Sequence, residues 1–142
     1  MRQDGTSERE RVALRRFGEA LGMAFQIVDD LLDYTEDATV TGKPFGSDLR
    51  EHKVTLPLIA ALPRMGERER RSVARLLHTA EPSDTQIAEV ILAVGDAGGL
   101  EYARERALQL AQQADTELDV LAPSPARDAL RASITYVIDR RR

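Results

Sequence analysis

The stretch Ser7–Glu36, SERERVALRRFGEALGMAFQIVDDLLDYTE, decides the fold. Leu14, Phe17, Leu21, Ala24, Val28 and Leu31 recur every three or four residues, which draws one apolar face along a helix. Ser7 and Glu10 have the spacing of a capping box, in which each side chain satisfies a backbone N–H of the other. The pattern lasts to about Glu36, a helix of about seven turns at the usual pitch. Its final third, FQIVDDLLDY from 25 to 34, sets Asp29, Asp30 and Asp33 beside apolar neighbours.

Beyond this helix, DATVTGKPFGSDLREHKVT from 37 to 55 loses the periodicity and carries Gly42, Pro44 and Gly46, so it reads as an ordered loop with local turns. A second helix opens near Leu56-Pro57, where the missing proline N–H is not needed, and runs to about Leu62 before Pro63 interrupts it. A third fits Glu67 to Thr79. Ser83 with Gln86 repeats the capping box ahead of Ile87, Val90, Ile91 and Val94, and Gly95, Gly98 and Gly99 break the chain again. Leu100, Ala103, Ala107, Leu110, Ala114, Leu118 and Leu121 trace a helix of about six turns. Ser124-Pro125, an N-cap followed by proline at the first helical position, opens a last helix through Leu130, Ile134 and Val137. No segment alternates with period two. The expected fold is all-α, a helical bundle forming a single domain over residues 1 to 142.

Composition narrows the chemistry. With 42% hydrophobic and 31% charged residues the chain belongs with globular proteins, and no apolar run is long enough to span a bilayer. The first residues lack the apolar core of a signal peptide, so a cytoplasmic location is expected. The absence of cysteine excludes thiolate sites, and His52 and His78 lack metal-ligand spacing, which leaves oxygen donors and favours a hard cation. A net charge of −4, basic residues interleaved with Glu and 4% aromatic content argue against nucleic acid as a partner.

On the first helix Gly18, Gly22, Gln26, Asp29 and Asp33 follow one stripe beside the apolar face, with Asp30 at its flank. Like charges one turn apart cost a helix a few tenths of a kcal/mol, roughly, and more when partly buried. A solvated acidic face is the ordinary explanation of such a run. Here apolar residues flank the pair on both sides, so the carboxylates edge a packed face. Carboxylates projected from one helix suit Mg²⁺, which takes one or two such ligands and completes its shell with water and phosphate oxygens. Lys43 and Lys53, in the segment that leaves the acidic end of the helix, are suitable point charges for a polyphosphate.

FQIVDDLLDY, then GKPFGSDL at 42 to 49, then HKVTLPLI at 52 to 59, resemble in order and spacing the second aspartate-rich motif and following loop of the trans-type polyprenyl diphosphate synthases, most of all their long-chain, octaprenyl-like branch. GGLEYARERALQLAQQA at 98 to 114 and YVIDRRR at 136 to 142 resemble the last helices and basic tail of that family. One departure lies inside the match: His52 stands where the family commonly has glycine. The resemblance covers only the family's C-terminal part, and the first aspartate-rich motif is not found in this chain.

The resemblance implies the isoprenoid synthase fold and Mg²⁺-dependent condensation of an allylic diphosphate with isopentenyl diphosphate. In that reaction the allylic diphosphate ionises, the double bond of isopentenyl diphosphate attacks the carbocation, a proton is lost, and metal ions stabilise the departing diphosphate. Asp29, Asp30 and Asp33 are then metal ligands, Lys43 and Lys53 contact diphosphate, Gln26 is a polar neighbour, and no side chain is assigned as catalytic. A chain without the first motif is expected to be inactive alone and to self-associate or pair with the missing N-terminal half. The alternative is a non-catalytic binding or assembly subunit whose partner carries the first motif.

Overall fold

The computed structural model describes residues 7–35 and 46–140. Among them every element is helical: α1 (Glu8–Thr35), α2 (Ser47–Arg50), α3 (Leu56–Ala61), a 3₁₀ turn (Leu62–Arg64), α4 (Glu67–His78), α5 (Asp84–Asp96), α6 (Gly99–Glu117), a second 3₁₀ turn (Leu118–Val120) and α7 (Pro125–Ile138). The all-α expectation holds. No described helix is long and apolar enough to cross a membrane.

The helix starts follow local chemistry. Glu10 N–H donates to Ser7 Oγ at 3.1 Å and Ser7 N–H to Glu10 Oε1 at 2.9 Å, closing the first capping box. Ser83 and Gln86 close the second at 2.9 and 3.2 Å, and Ser124 Oγ accepts from the Arg127 amide at 3.0 Å. The glycines at 95 to 99 behave differently from expectation. α5 runs through Gly95 and α6 begins at Gly99 itself, so the break is made at Gly98, whose φ is +80°. Gly99 is glycine for space, because a Cβ there would overlap the Pro57 carbonyl oxygen.

The chain divides into two compact units. The first takes residues up to Val28 and Arg106–Arg140. It buries Ala13, Phe17, Ala20, Ala24, Ile27 and Val28 of α1 together with the Ala107, Leu110, Ala111 and Ala114 stripe of α6 and Ile134 and Val137 of α7. Arg131 Nε donates to Asp115 at 2.7 Å within this unit. Leu14, expected on the apolar face, is 37% exposed, because the buried face is drawn through Ala13, Phe17 and Ala20.

The second unit takes Asp29–Glu105. Its core joins Tyr34, Leu49, Leu58, Ala61, Met65, Val73, Leu76, Ile87, Val90 and Val94. α4 packs on α5, and α3 on α5. Arg70 secures the chain after α3 by donating to the Leu62 and Pro63 carbonyls at 3.1 and 3.2 Å, which satisfies groups left over by the proline interruption. The segment expected as loop contains α2, a single helical turn too short to show a period. Gly42, Lys43 and Pro44 lie outside the described residues.

Candidate functional site

The last turns of α1 carry the three aspartates. Asp29 and Asp30 are half-buried, whereas Asp33 is 4% exposed and is the one charged residue among the described buried side chains. Water gives up such a group only when it is hydrogen-bonded. Asp33 Oδ2 accepts the Asp48 backbone N–H at 3.0 Å. α2 needs that bond, since its N-cap is Gly46, which has no side chain to satisfy the first amides. Asp33 thus anchors α2 from the neighbouring helix, a structural duty that the sequence alone does not announce.

Gly46 makes the junction possible. Its φ is +66°, and a Cβ there would collide with Ile87 Cγ2 on α5. Leu49, 1% exposed, fixes the other side of α2 in the core. At the far end, His52 N–H bonds the Leu49 carbonyl at 3.0 Å and Lys53 N–H the Asp48 carbonyl at 2.8 Å. This pair of bonds is a Schellman motif, whose residue after the cap must turn left-handed. That residue is His52, with φ +60°, which explains why glycine suits the position. Asp48 therefore touches both halves of the site: its N–H meets Asp33 and its C=O holds the Lys53 amide.

Electrostatics agree with this grouping. Burial pushes the Tyr34 phenol far above its ordinary range; Thr55 works against that shift, and the carboxylates of Asp33, Asp48 and Asp30 add to it. Neither Tyr34 Oη nor Thr55 Oγ1 has a full hydrogen bond among the described residues. The Lys53 ammonium is held above its usual value by a hydrogen bond to Glu51 and by that carboxylate's charge, with Asp48 and Asp33 contributing at longer range. Nζ lies 2.9 Å from Glu51 Oε2, and the side chain is 58% exposed, so this ion pair is a loose surface one. The sequence reading missed Glu51, because residues two apart do not face each other on a helix; the left-handed His52 turn brings them together.

Gln26 is exposed, one turn before Asp29 on α1. Lys43 lies outside the described residues, as do Arg141 and Arg142. Arg140 of the basic tail stacks its guanidinium 4.2 Å from the centre of the Phe25 ring. Both histidines bond backbone carbonyls, His52 Nε2 that of Thr79 at 2.6 Å and His78 Nδ1 that of Ala74 at 2.7 Å. Among the described residues no three acidic or histidine side chains converge to cage a metal. The donor set fits a hard cation bound by one or two carboxylates and completed by water and phosphate, and does not fit an all-protein cage.

The polyprenyl synthetase family model matches residues 2–94. Over 130 residues the chain is 42% identical to the all-trans-nonaprenyl-diphosphate synthase (geranyl-diphosphate specific) of Rhodobacter capsulatus, covering 92% of this chain and 39% of the relative. It is 36% identical over 138 residues to the octaprenyl diphosphate synthase of Escherichia coli, covering 97% and 42% respectively. The chain thus spans about two-fifths of the length of the curated relatives it matches. Among solved structures, a polyprenyl synthase from Caulobacter crescentus, complexed with calcium and isoprenyl diphosphate, superimposes with a TM-score of 0.88 at 32% identity over 97% of this chain and 42% of that one. A geranylgeranyl pyrophosphate synthase from Corynebacterium glutamicum, complexed with isoprenyl diphosphate and magnesium, gives 0.87 at 32% over 97% and 39%. With the family model matching well over half of its length, the chain belongs to the polyprenyl synthetase family.

Proposed function

We propose that this chain is the C-terminal part of a polyprenyl diphosphate synthase, a prenyltransferase that joins an allylic diphosphate to isopentenyl diphosphate in the complete enzyme. The observation that carries the reading is the Asp33–Asp48–Lys53 connection: one backbone unit ties the aspartate-bearing end of α1 to the turn presenting a lysine. Opposite charges suited to the two sides of a metal-bridged diphosphate are thereby held in one unit.

In this reading Asp29 and Asp30, half-buried and open to solvent, hold Mg²⁺. Asp33, one turn beyond Asp29 on the same helix, joins them. Bound magnesium supplies charge stabilisation to the diphosphate as it departs. Lys53 leaves Glu51 for the diphosphate, an exchange made easy by the exposure of that ion pair. Lys43 is the second cation of the site and Gln26 its polar neighbour. The chain alone binds Mg²⁺ and diphosphate weakly and does little or no elongation. Calorimetric titration of pyrophosphate in Mg²⁺ tests this: binding should be lost in Asp29→Asn/Asp30→Asn, and brisk elongation of farnesyl diphosphate by the unaccompanied chain would refute it.

A second reading, a non-catalytic assembly subunit paired with a separate chain that carries the first aspartate-rich motif, is favoured by the exposed apolar side chains Leu14, Met23, Leu108 and Tyr136 of the first unit. Native mass spectrometry of the protein from its source distinguishes the two. A separate partner chain carrying the first aspartate-rich motif supports the subunit, and isolation without such a partner opposes it.

A further inference from the structure

His52 raises a question that the reaction does not answer. It is the one non-glycine among the described residues with positive φ, at +60°, in a turn that any glycine would make without strain. A histidine there carries the unfavourable backbone that glycine would avoid. Its ring supplies a bond no glycine can make: Nε2 lies 2.6 Å from the Thr79 carbonyl, and since a carbonyl only accepts, Nε2 carries the proton.

The Thr79 end of this bond is itself fixed. Thr79 N–H donates to Leu76 O at 3.1 Å, and Thr79 Oγ1 accepts from Gln86 Nε2 at 3.0 Å. Gln86 Oε1 accepts the Ser83 amide at 2.9 Å, so the side chain that reaches Thr79 is also the one that closes the α5 cap. The imidazole therefore fastens the turn before Lys53 to the hydrogen-bonded α4–α5 connection. A second tie, Arg50 Nη2 to Asp84 Oδ1 at 2.5 Å, runs between side chains that are 33% and 90% exposed, and such pairs constrain little.

We propose that His52 is a positioning residue for Lys53: by bonding the Thr79 carbonyl it holds the left-handed turn in the orientation from which the Lys53 ammonium meets a diphosphate. The proposal rests on the reading of Lys53 as a diphosphate contact. Asp33 fixes the front of the same segment through the Asp48 amide, and His52 fixes its back. Lys53 has a long flexible stem, so fixing its backbone is the means available to the fold for limiting where its charge goes.

The test is calorimetry of Mg²⁺-dependent pyrophosphate binding by the full chain, with urea unfolding of the same samples. His52→Gly removes the strain and the ring, His52→Gln keeps an N–H donor, and Lys53→Met removes the charge. We expect H52G to be at least as stable as the parent and yet to bind pyrophosphate roughly fivefold more weakly, the effect of one lost hydrogen bond. H52Q should recover part of that loss, and H52G should add nothing in the K53M background. A role confined to stability predicts unchanged affinity in a folded H52G, and that result, with K53M weakened, overturns the proposal alone. Unchanged affinity in K53M, or no binding by the parent, overturns the reading of Lys53 and the proposal with it.

Discussion

Replacing Gly46 with alanine probes the junction on which the site depends. The backbone at Gly46 has φ +66°, and the left-handed region costs an L-residue about 1–2 kcal/mol. The new methyl would overlap Ile87 Cγ2 and lie 3.5 Å from Ile91 Cδ1. Ile87 is completely buried and β-branched, so its methyl sits on a stiff χ1 and has nowhere to swing. Overpacking of this kind costs about 1–3 kcal/mol, which brings the total to about 2–5 kcal/mol. Urea unfolding of the full chain should show a midpoint lower by about 1–2 M at ordinary denaturant slopes. Ile87→Ala in the Gly46→Ala background removes the obstructing methyl, and the double-mutant cycle should return a coupling of about 1–3 kcal/mol. A Gly46→Ala variant within about 0.5 kcal/mol of the parent, or a cycle with no coupling, would show that α2 does not seat against Ile87 as described. Because Asp48 follows Gly46 by two residues, the same variant should weaken pyrophosphate binding more than a comparably destabilising change far from α2.

Other outcomes follow from the same geometry. Tyr34 keeps its proton to a higher pH in the native chain than in the unfolded one, whose phenol ionises near 10, so its contribution is intact below pH 10 and is lost as pH rises toward the native value. Relative to the parent, Tyr34→Phe should lose less stability between pH 10 and 11, by about 1 kcal/mol, in paired urea titrations. Ser83→Ala should cost about 1 kcal/mol by thermal unfolding, since it removes the acceptor for the Gln86 amide at the start of α5. Leu76→Ala, at a site with no exposure, should cost about 2–5 kcal/mol in the same measurement. A loss below about 1 kcal/mol there would place Leu76 outside the core.

The helices were legible because their signals are local. Capping boxes at Ser7 and Ser83 and proline at the first position of α7 act within one or two turns, and each appears in the structure where the residues put it. Composition alone set one helix end too early. Gly95 is a breaker by composition, yet it lies within α5. The acidic cluster was equally visible, but its division of labour was not. Asp29, Asp30 and Asp33 look alike in a string of letters, and Asp33 is set apart by its burial and by an amide fifteen residues away that bonds its oxygen.

The sequence by itself determined that the chain is helical, that Asp29 and Asp33 fall on one stripe with Asp30 at its flank and that its motifs belong to the polyprenyl synthetase family, because these depend on residue type and spacing along the chain. Tertiary structure decided which carboxylate is buried, that Lys53 rests on Glu51, and that His52 occupies a left-handed turn tied to Thr79. Those outcomes depend on which backbone amides and carbonyls meet after folding, and each of these groups must find a partner once it leaves water.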